Sequence, residues 1–84
     1  HWKKVCREIV YQGNFAKYTQ NKDLKDLLLA TDTKIIAEAS PSDRIWGIGL
    51  AADDPRALRP SAWRGTNWLG QVHMRVRTKL QSVR

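Results

Sequence analysis

The residues that could do chemistry in this 84-residue chain concentrate in one irregular stretch, EASPSDRIWGIG, at positions 38–49. Within it Asp43 lies three residues before Trp46, and Gly47 and Gly49 follow closely. A carboxylate beside a flat aromatic wall can hold sugar hydroxyls or stabilise a developing oxocarbenium ion, although aspartate also commonly caps a turn. Because exposed tryptophan and closely spaced glycines have little use in an ordinary core, the stretch is predicted to wall a small-molecule pocket.

A second segment, WRGTNWLG at positions 63–70, repeats the mixture of tryptophan and glycine. Trp46, Trp63 and Trp68 each offer a flat apolar face with an N–H donor, which suits either stacking on a planar base or packing in a core. The run Gly47–Gly49 permits either backbone approach to a ligand or a plain tight turn. It is a weak phosphate-loop signal, because neither a third glycine nor a Gly-Lys-Ser/Thr ending follows.

Metal binding and nucleophilic catalysis find little support in the sequence. His1, His73 and Cys6 lack the spacing of a ligand set, so we expect no metal and no cofactor. Ser40, Asp43 and His73 do not form a nucleophile-elbow motif. The single cysteine excludes an internal disulfide and is predicted to be inert packing on the first helix.

Length and composition predict one globular domain over residues 1–84. No apolar run is long enough to span a membrane, so we expect a soluble, intracellular, cytoplasmic protein without a membrane partner. The net charge is +7, from 15 basic and 8 acidic residues. Its densest patch, on the last helix, is either a solvated face or a surface that attracts a phosphate-bearing ligand or nucleic acid. That patch consists of Arg75, Arg77, Lys79 and Arg84.

Hydrophobic periodicity predicts three main helices. The first covers Trp2–Tyr18, and the second covers Lys22–Ala30 behind an Asn21 cap. The third begins behind a cap at Thr66 or Asn67. The side chains predicted to be buried are Trp2, Val5, Cys6, Ile9 and Val10, then Leu24, Leu27 and Leu28, then Leu69, Val72, Val76, Leu80 and Val83.

The rest of the chain is predicted to be largely irregular. Gly13 is expected to kink the first helix or to permit close backbone approach. The β-branched segment Lys34–Ala37 is typical of a short buried strand or an extended segment. Glu38–Gly65, which contains all three prolines, is predicted to be a long ordered loop. Its second half, at 51–61, has the composition of a more mobile insertion.

Four separated motifs carry a family resemblance. They are the His-Trp opening, the segment FAKYTQNKDLKDLLLAT, the stretch EASPSDRIWGIGL, and the closing WRGTNWLG with its downstream M-x-V-R-x-x-L. Together they resemble the NADAR family, which includes YbiA-like N-glycosidases acting on riboflavin-pathway intermediates. The resemblance implies a compact, mostly α-helical domain, of which residues 1–84 would be the C-terminal half to two-thirds. It also implies hydrolysis of N-glycosidic bonds in ribose-phosphate or ADP-ribose compounds, including ADP-ribose attached to guanine.

The resemblance assigns site residues by position. Lys17 and Asp43 are implied to be catalytic. An amine beside an apolar wall can attack ribose C1 as a Schiff-base nucleophile, or it can neutralise a phosphate if it stays charged. The motifs Asp-x-x-Trp-Gly and Asn-x-Leu-Gly supply most of the implied substrate contacts. The residues implied to bind substrate are Trp2, Trp46, Gly47, Gly49, Asn67 and Gly70.

Two departures from the family pattern shape the expected activity. A Glu-His-Tyr-type segment, whose glutamate the family is expected to use for acid/base work, has no counterpart, and the chain opens at His1 within a predicted helix. We therefore expect a piece of a longer domain that binds its ligand without turnover. The second departure is the insertion at 51–61, which would reshape the substrate mouth or recruit a partner. The alternative function is a non-catalytic module that binds ADP-ribose, a nucleotide or nucleic acid.

Overall fold

The computed structural model describes residues 2–82, apart from the side chain of Lys3. Its helices are α1 (Trp2–Gln20), α2 (Lys22–Ala30) and α3 (Trp68–Ser82), and two 3-10 turns cover Pro55–Leu58 and Pro60–Ala62. No strand forms within the described residues, which confirms the mostly α-helical fold class with three main helices. By its internal contacts the chain divides into two compact units, His1–Ile35 with Val72–Arg84, and Ile36–Gln71.

Helix α1 follows the predicted pattern of burial only in part: Val5, Cys6 and Val10 are half-buried, but the most buried side chain lies on another face. Trp2 and Ile9 are 71% and 62% exposed, whereas Tyr11 is buried and Phe15 and Tyr18 are half-buried. The predicted burial of Trp2 and Ile9 is therefore wrong. The three aromatic residues lie at the four- and three-residue spacing of one helical face, and the Tyr11 and Phe15 ring centroids are 6.1 Å apart. Because aromatic side chains bury the largest areas, that face is turned inward.

Gly13 lies in the middle of α1 without interrupting it. Nothing lies within 4 Å of the position that a Cβ would occupy there, so the predicted close backbone approach is wrong. The next residue, Asn14, donates its side-chain amide to the Val10 carbonyl at 2.9 Å. This bond gives the asparagine a partner inside the helix, where its side chain would otherwise compete with the backbone.

Helix α2 begins at the predicted cap. Asn21 has extended backbone angles, and its Oδ1 accepts a hydrogen bond from the Leu24 amide at 3.1 Å. Leu28 is buried and Leu24 half-buried, but Leu27 is 68% exposed, so its predicted burial is wrong. Two residues four apart share one face of a helix. Lys25 and Leu29, the next residues along, are also half-buried, so the packed stripe of this nine-residue helix leaves Leu27 outside it.

Helix α3 carries the predicted apolar stripe. Val72, Val76 and Leu80 are buried and, with Tyr11 and Leu28, form the core of the first unit. Leu69, at the start of the helix, is half-buried, and the predicted burial of Val83 lies outside the described residues. No helix of the described residues is long and apolar enough to cross a membrane.

The segment at 34–37 is not a buried strand. Ile35 is 63% exposed, and no strand ladder forms there. Two of its carbonyls bond side chains instead: Lys34 O accepts from Arg77 Nη1 and Ile36 O from Asn67 Nδ2, at 2.8 and 2.9 Å. Side-chain donors thus satisfy backbone carbonyls that a neighbouring strand would bond in a sheet.

The insertion at 51–61 contains the first 3-10 turn and the start of the second, which ends at Ala62. Asp54 caps the first turn, with its Oδ1 accepting from the Arg56 amide at 2.9 Å. The indole N–H of Trp63 donates to the Ala57 carbonyl at 3.0 Å. These hydrogen bonds hold the backbone of the segment in an ordered fold. The greater mobility that its composition indicated stays a prediction.

Candidate functional site

Asp43 organises the turn that follows it. Its Oδ1 accepts hydrogen bonds from the backbone amides of Ile45 and Trp46, at 3.0 and 2.8 Å. The bond from Trp46 is the main cause, and the bond from Ile45 the second, of a pKa held below the usual range of a carboxyl. The turn-capping role of Asp43 is therefore observed, and the carboxylate is ionised at neutral pH.

Both backbone polar groups of Trp46, its amide and its carbonyl, are hydrogen-bonded. Its amide donates to Asp43, and its carbonyl accepts from the Leu69 amide at 3.0 Å. The indole of Trp46 meets that of Trp68 edge to face, with ring centroids 5.5 Å apart and planes at 88°. Both side chains are half-buried. The sequence offered three tryptophans as stacking candidates, but no local spacing indicated that these two form a pair.

The glycines of the 38–49 stretch are required by close backbone packing. A Cβ on Gly47 would lie 2.9 Å from the carbonyl oxygens of both Asp43 and Glu38. Gly49 has φ 73°, a left-handed conformation that favours glycine. Gly65 was missed by sequence reasoning, and a Cβ on it would overlap the Gly47 carbonyl. These contacts account for the tight-turn interpretation, and approach to a ligand by Gly47 and Gly49 stays a prediction.

The sequence predicted that Thr66 or Asn67 caps α3, but the side chain of Asn67 bonds elsewhere. It is 3% exposed with φ 54°, and its amide faces the chain at 36–38. Its Oδ1 accepts from the Glu38 amide and its Nδ2 donates to the Ile36 carbonyl, both at 2.9 Å. We call this arrangement the Asn67 clamp. Thr66, the other predicted cap, bonds the Ile45 carbonyl through its hydroxyl.

Gly70 is the residue that makes room for the Asn67 clamp. A Cβ there would overlap the Ile36 carbonyl oxygen and both polar atoms of the Asn67 side chain. The Asn-x-Leu-Gly motif therefore has a structural explanation within the second unit. The proposed contacts of Asn67 and Gly70 with substrate remain predictions.

The two remaining predicted site residues, Trp2 and Lys17, belong to α1 in the first unit, and both side chains are exposed. The Lys17 Nζ lies 5.4 Å from the centroid of the Tyr18 ring. The Tyr18 hydroxyl in turn pairs with His73 Nδ1 at 3.0 Å, and burial raises the pKa of Tyr18. That Trp2 and Lys17 share a site with Asp43 and Trp46 stays a prediction.

The basic residues of α3 are not a uniformly solvated face. Arg75 pairs with Glu8 at 2.8 Å and lies 3.7 Å above the Tyr11 ring. Arg77 is only 6% exposed and donates to Thr31 Oγ1 and the Lys34 carbonyl, each at 2.8 Å. Lys79 is exposed, and the predicted contribution of Arg84 lies outside the described residues. Within residues 2–82 no group of His, Cys, Asp and Glu could hold a metal ion.

A family model described as the NADAR domain matches residues 1–81, so the chain belongs to the NADAR family. It is 48% identical over 80 residues to an N-glycosidase of Acanthamoeba polyphaga mimivirus, covering 95% of this chain and 47% of the relative. It is 40% identical over 79 residues to the protein irg-1 of Caenorhabditis elegans, and the match covers 94% of this chain and 37% of that protein.

A third relative is the chloroplastic riboflavin biosynthesis protein PYRR of Arabidopsis thaliana. The identity is 31% over 78 residues, covering 93% of this chain and 11% of that protein. The chain thus spans less than half the length of these relatives. No solved structure matches it.

Proposed function

We propose that this chain is part of an N-glycosidase that hydrolyses the bond between a nitrogenous base and a ribose carrying a phosphate group. The observation that carries the proposal is the 48% identity over 80 residues to a protein named as an N-glycosidase. The ionised Asp43 beside the Trp46 indole supports it, because this pairing suits an oxocarbenium-like transition state.

In this mechanism Asp43 acts as a fixed negative charge. Its lowered pKa makes it a poor proton donor at neutral pH, so general-acid catalysis is not its role. An ionised carboxylate can accept hydrogen bonds from ribose hydroxyls and stabilise positive charge developing at C1. Two backbone amides hold the carboxylate in place before any ligand arrives.

The reaction would break the bond between ribose C1 and the base nitrogen. The bonding electrons leave with the nitrogen, water adds to C1, and a proton from that water ends on the departing base. The ribose phosphate and the free base are the products. The net charge of +7 favours approach of a phosphate-bearing substrate.

Lys17 has two proposed roles that differ in their chemistry. As a nucleophile its amine would form a Schiff base with the opened ribose. As an ammonium it would neutralise the substrate phosphate. Borohydride trapping followed by mass spectrometry separates the roles, because only the Schiff base leaves a stable adduct on Lys17.

The substrate class has two proposed members. Riboflavin-pathway ribosylamine phosphates are one, supported by the relative named as a riboflavin biosynthesis protein. ADP-ribose compounds, including ADP-ribose on guanine, are the other. Both present a ribose with a phosphate on one side and a nitrogen at C1.

Turnover can be tested in a hybrid in which this chain replaces the matching 80 residues of the mimivirus relative. We expect the hybrid to release ribose phosphate from a pyrimidine ribosylamine phosphate, or free ADP-ribose from ADP-ribosylated guanine. A hybrid that folds but releases neither product, while the unaltered relative does, would contradict the proposal. So would release that persists unchanged in both Asp43→Ala and Lys17→Ala.

The second candidate is a non-catalytic module that binds ADP-ribose or a nucleotide. The observation that favours it is the structural use of Asp43, whose Oδ1 already serves two backbone amides. The nucleic-acid version of this candidate draws less support from α3, because Arg75 and Arg77 are engaged within the first unit. It predicts a steep fall in DNA or RNA affinity as salt rises.

A further inference from the structure

The strongest unassigned feature of the second unit is the perpendicular pair of indoles formed by Trp46 and Trp68. Their ring centroids are 5.5 Å apart and their planes meet at 88°. Edge-to-face contact of this kind is attractive and directional, because the positive edge of one ring meets the negative face of the other. Each ring therefore restrains the orientation of its neighbour.

The backbones that carry the two rings are also joined. The Trp68 amide donates to the Ile45 carbonyl, and the Leu69 amide donates to the Trp46 carbonyl, both at 3.0 Å. Together with the bond from the Trp46 amide to Asp43, these contacts fix the positions from which both side chains project. Rotation of the indoles is the main freedom left, and the perpendicular contact limits it.

We propose that Trp68 is a positioning residue that holds the Trp46 indole ready to stack against a planar heteroaromatic base. The inference rests on the proposed function, which gives the ligand such a base attached to ribose. Trp46 is half-buried, so part of its surface is open to a ligand. A base that stacks on a pre-oriented ring gains affinity, because less side-chain freedom is lost on binding.

Trp63 provides a matched control in the same unit. It is also a half-buried tryptophan near a glycine, but its indole N–H is committed to the Ala57 carbonyl at 3.0 Å. Replacing Trp63 with leucine removes an indole of the same size without touching the Trp46–Trp68 pair. An effect shared by Trp46→Leu and Trp68→Leu and absent from Trp63→Leu is then the one expected of the pair.

The pair itself is tested by far-ultraviolet circular dichroism of the 84-residue chain. Two indoles this close couple their transitions and give an exciton couplet. We expect Trp46→Leu and Trp68→Leu each to abolish the couplet and Trp63→Leu to retain it. A couplet that survives in Trp68→Leu would show that these two indoles are not paired.

The positioning role is tested by calorimetric binding of ADP-ribose and of ribose 5-phosphate, which lacks a base. We expect Trp68→Leu to weaken ADP-ribose binding by about tenfold, the low end of what stacking on one aromatic ring contributes. Ribose 5-phosphate affinity should stay within about twofold of wild type, because it makes no stacking contact. Trp68→Phe, which keeps an aromatic edge, should retain most of the ADP-ribose affinity and guards against a leucine variant that does not fold.

The outcomes separate this inference from the proposed function. Unchanged ADP-ribose affinity in Trp68→Leu, with a loss in Trp46→Leu, would overturn the positioning role and leave the proposed function standing. Equal weakening of both ligands by Trp68→Leu would mark general structural damage and also overturn it. A wild-type chain that binds neither ligand would contradict the proposed function and the positioning role together.

Discussion

Asp43 explains why the motif has the spacing Asp-x-x-Trp-Gly. A carboxylate can reach the amides two and three residues ahead, and here those amides belong to Ile45 and Trp46. The same bonds that build the turn also keep the carboxylate charged. The observed turn role and the proposed charge-stabilising role therefore belong to one side chain, and Asp43→Ala would remove both together.

Acid should destabilise the protein through Asp43 and Asp54. The pKa of both is lowered, that of Asp54 to about 2, chiefly by its bonds with Arg56. Their contribution to stability is fully present well above the unfolded value of 3.8 and is lost as pH falls through the folded values. We expect the free energy of unfolding, measured in urea, to fall between about pH 5 and pH 2.

Asp54→Asn should be less stable than wild type at neutral pH and should show a shallower acid decline. The asparagine can still accept from the Arg56 amide but carries no charge to lose. Parallel pH profiles of wild type and Asp54→Asn would contradict this assignment.

The Asn67 clamp should be costly to remove. Asn67→Ala removes the hydrogen bonds to the Ile36 carbonyl and the Glu38 amide and keeps a Cβ-bearing residue at φ 54°. We expect it to lower the free energy of unfolding by about 2–4 kcal/mol. Asn67→Gly accepts the backbone angle but still lacks the clamp, so it should lose about 1 kcal/mol less. Urea unfolding that ranks the glycine variant below the alanine variant would contradict this explanation.

At the residue scale, the sequence predicted local hydrogen bonds better than contacts between distant residues. The sequence indicated that Asp43 either caps a turn or serves a ligand, and the turn is observed. It could not indicate the Asn67 clamp, whose partners lie 29 and 31 residues away. Nor could it indicate Gly65, because the need for glycine there arises from the carbonyl of Gly47.

At the scale of elements, two helical glycines should respond oppositely to the same substitution. Gly70→Ala in α3 drives a methyl group into the Asn67 clamp, and we expect a loss of about 1–3 kcal/mol despite the better helix propensity of alanine. Gly13→Ala in α1 meets open space and should gain about 0.5–1 kcal/mol. Thermal or urea unfolding of the two variants checks the contrast, and a stabilised Gly70→Ala would contradict the clamp geometry.

The buried Arg77 should matter more than the exposed Arg75 on the same helix. Arg77 donates to Thr31 at the C-terminal end of α2, where the helix dipole favours a cation, and to the Lys34 carbonyl. We expect Arg77→Met to cost about 1–3 kcal/mol, with Arg77→Lys between it and wild type. Arg75→Met should cost less, because its pair with Glu8 is half exposed. Equal losses at the two arginines would contradict this difference.

The sequence predicted the extents of the helices and the Asn21 cap of α2, but not the role of Asn67 before α3, and it predicted which helical faces are buried only in part. The stripe Val72, Val76 and Leu80 is regular and was predicted to be buried, as it is. Helix α1 has two apolar faces, and periodicity alone could not decide between the Trp2 face and the Tyr11 face. For 34–37 the sequence predicted a buried strand or an extended segment and could not decide between them, because local propensity says nothing about distant side-chain donors.

At the scale of the whole molecule, the family and the mostly helical class followed from motifs and periodicity. The NADAR match over residues 1–81 agrees with the resemblance drawn from four separated motifs. The chain covers 47% of the mimivirus N-glycosidase, so its own part in such an activity is a proposal. That proposal is tested by a substitution that leaves the fold of the chain intact.

The most direct measurement is the kcat of Asp43→Asn in the hybrid N-glycosidase. Asparagine keeps an oxygen that can accept from Ile45 and Trp46, so the turn should remain, but the charge is gone. We predict that kcat for release of the base falls by about 10²–10³, the usual cost of losing one stabilising group in the transition state. Tm should fall only modestly, because the hydrogen bonds of the turn remain while the charge that they stabilise is lost. A kcat equal to that of the unsubstituted hybrid, in a variant that remains folded at the assay temperature, would contradict the claim that this chain supplies catalytic charge to an N-glycosidase site.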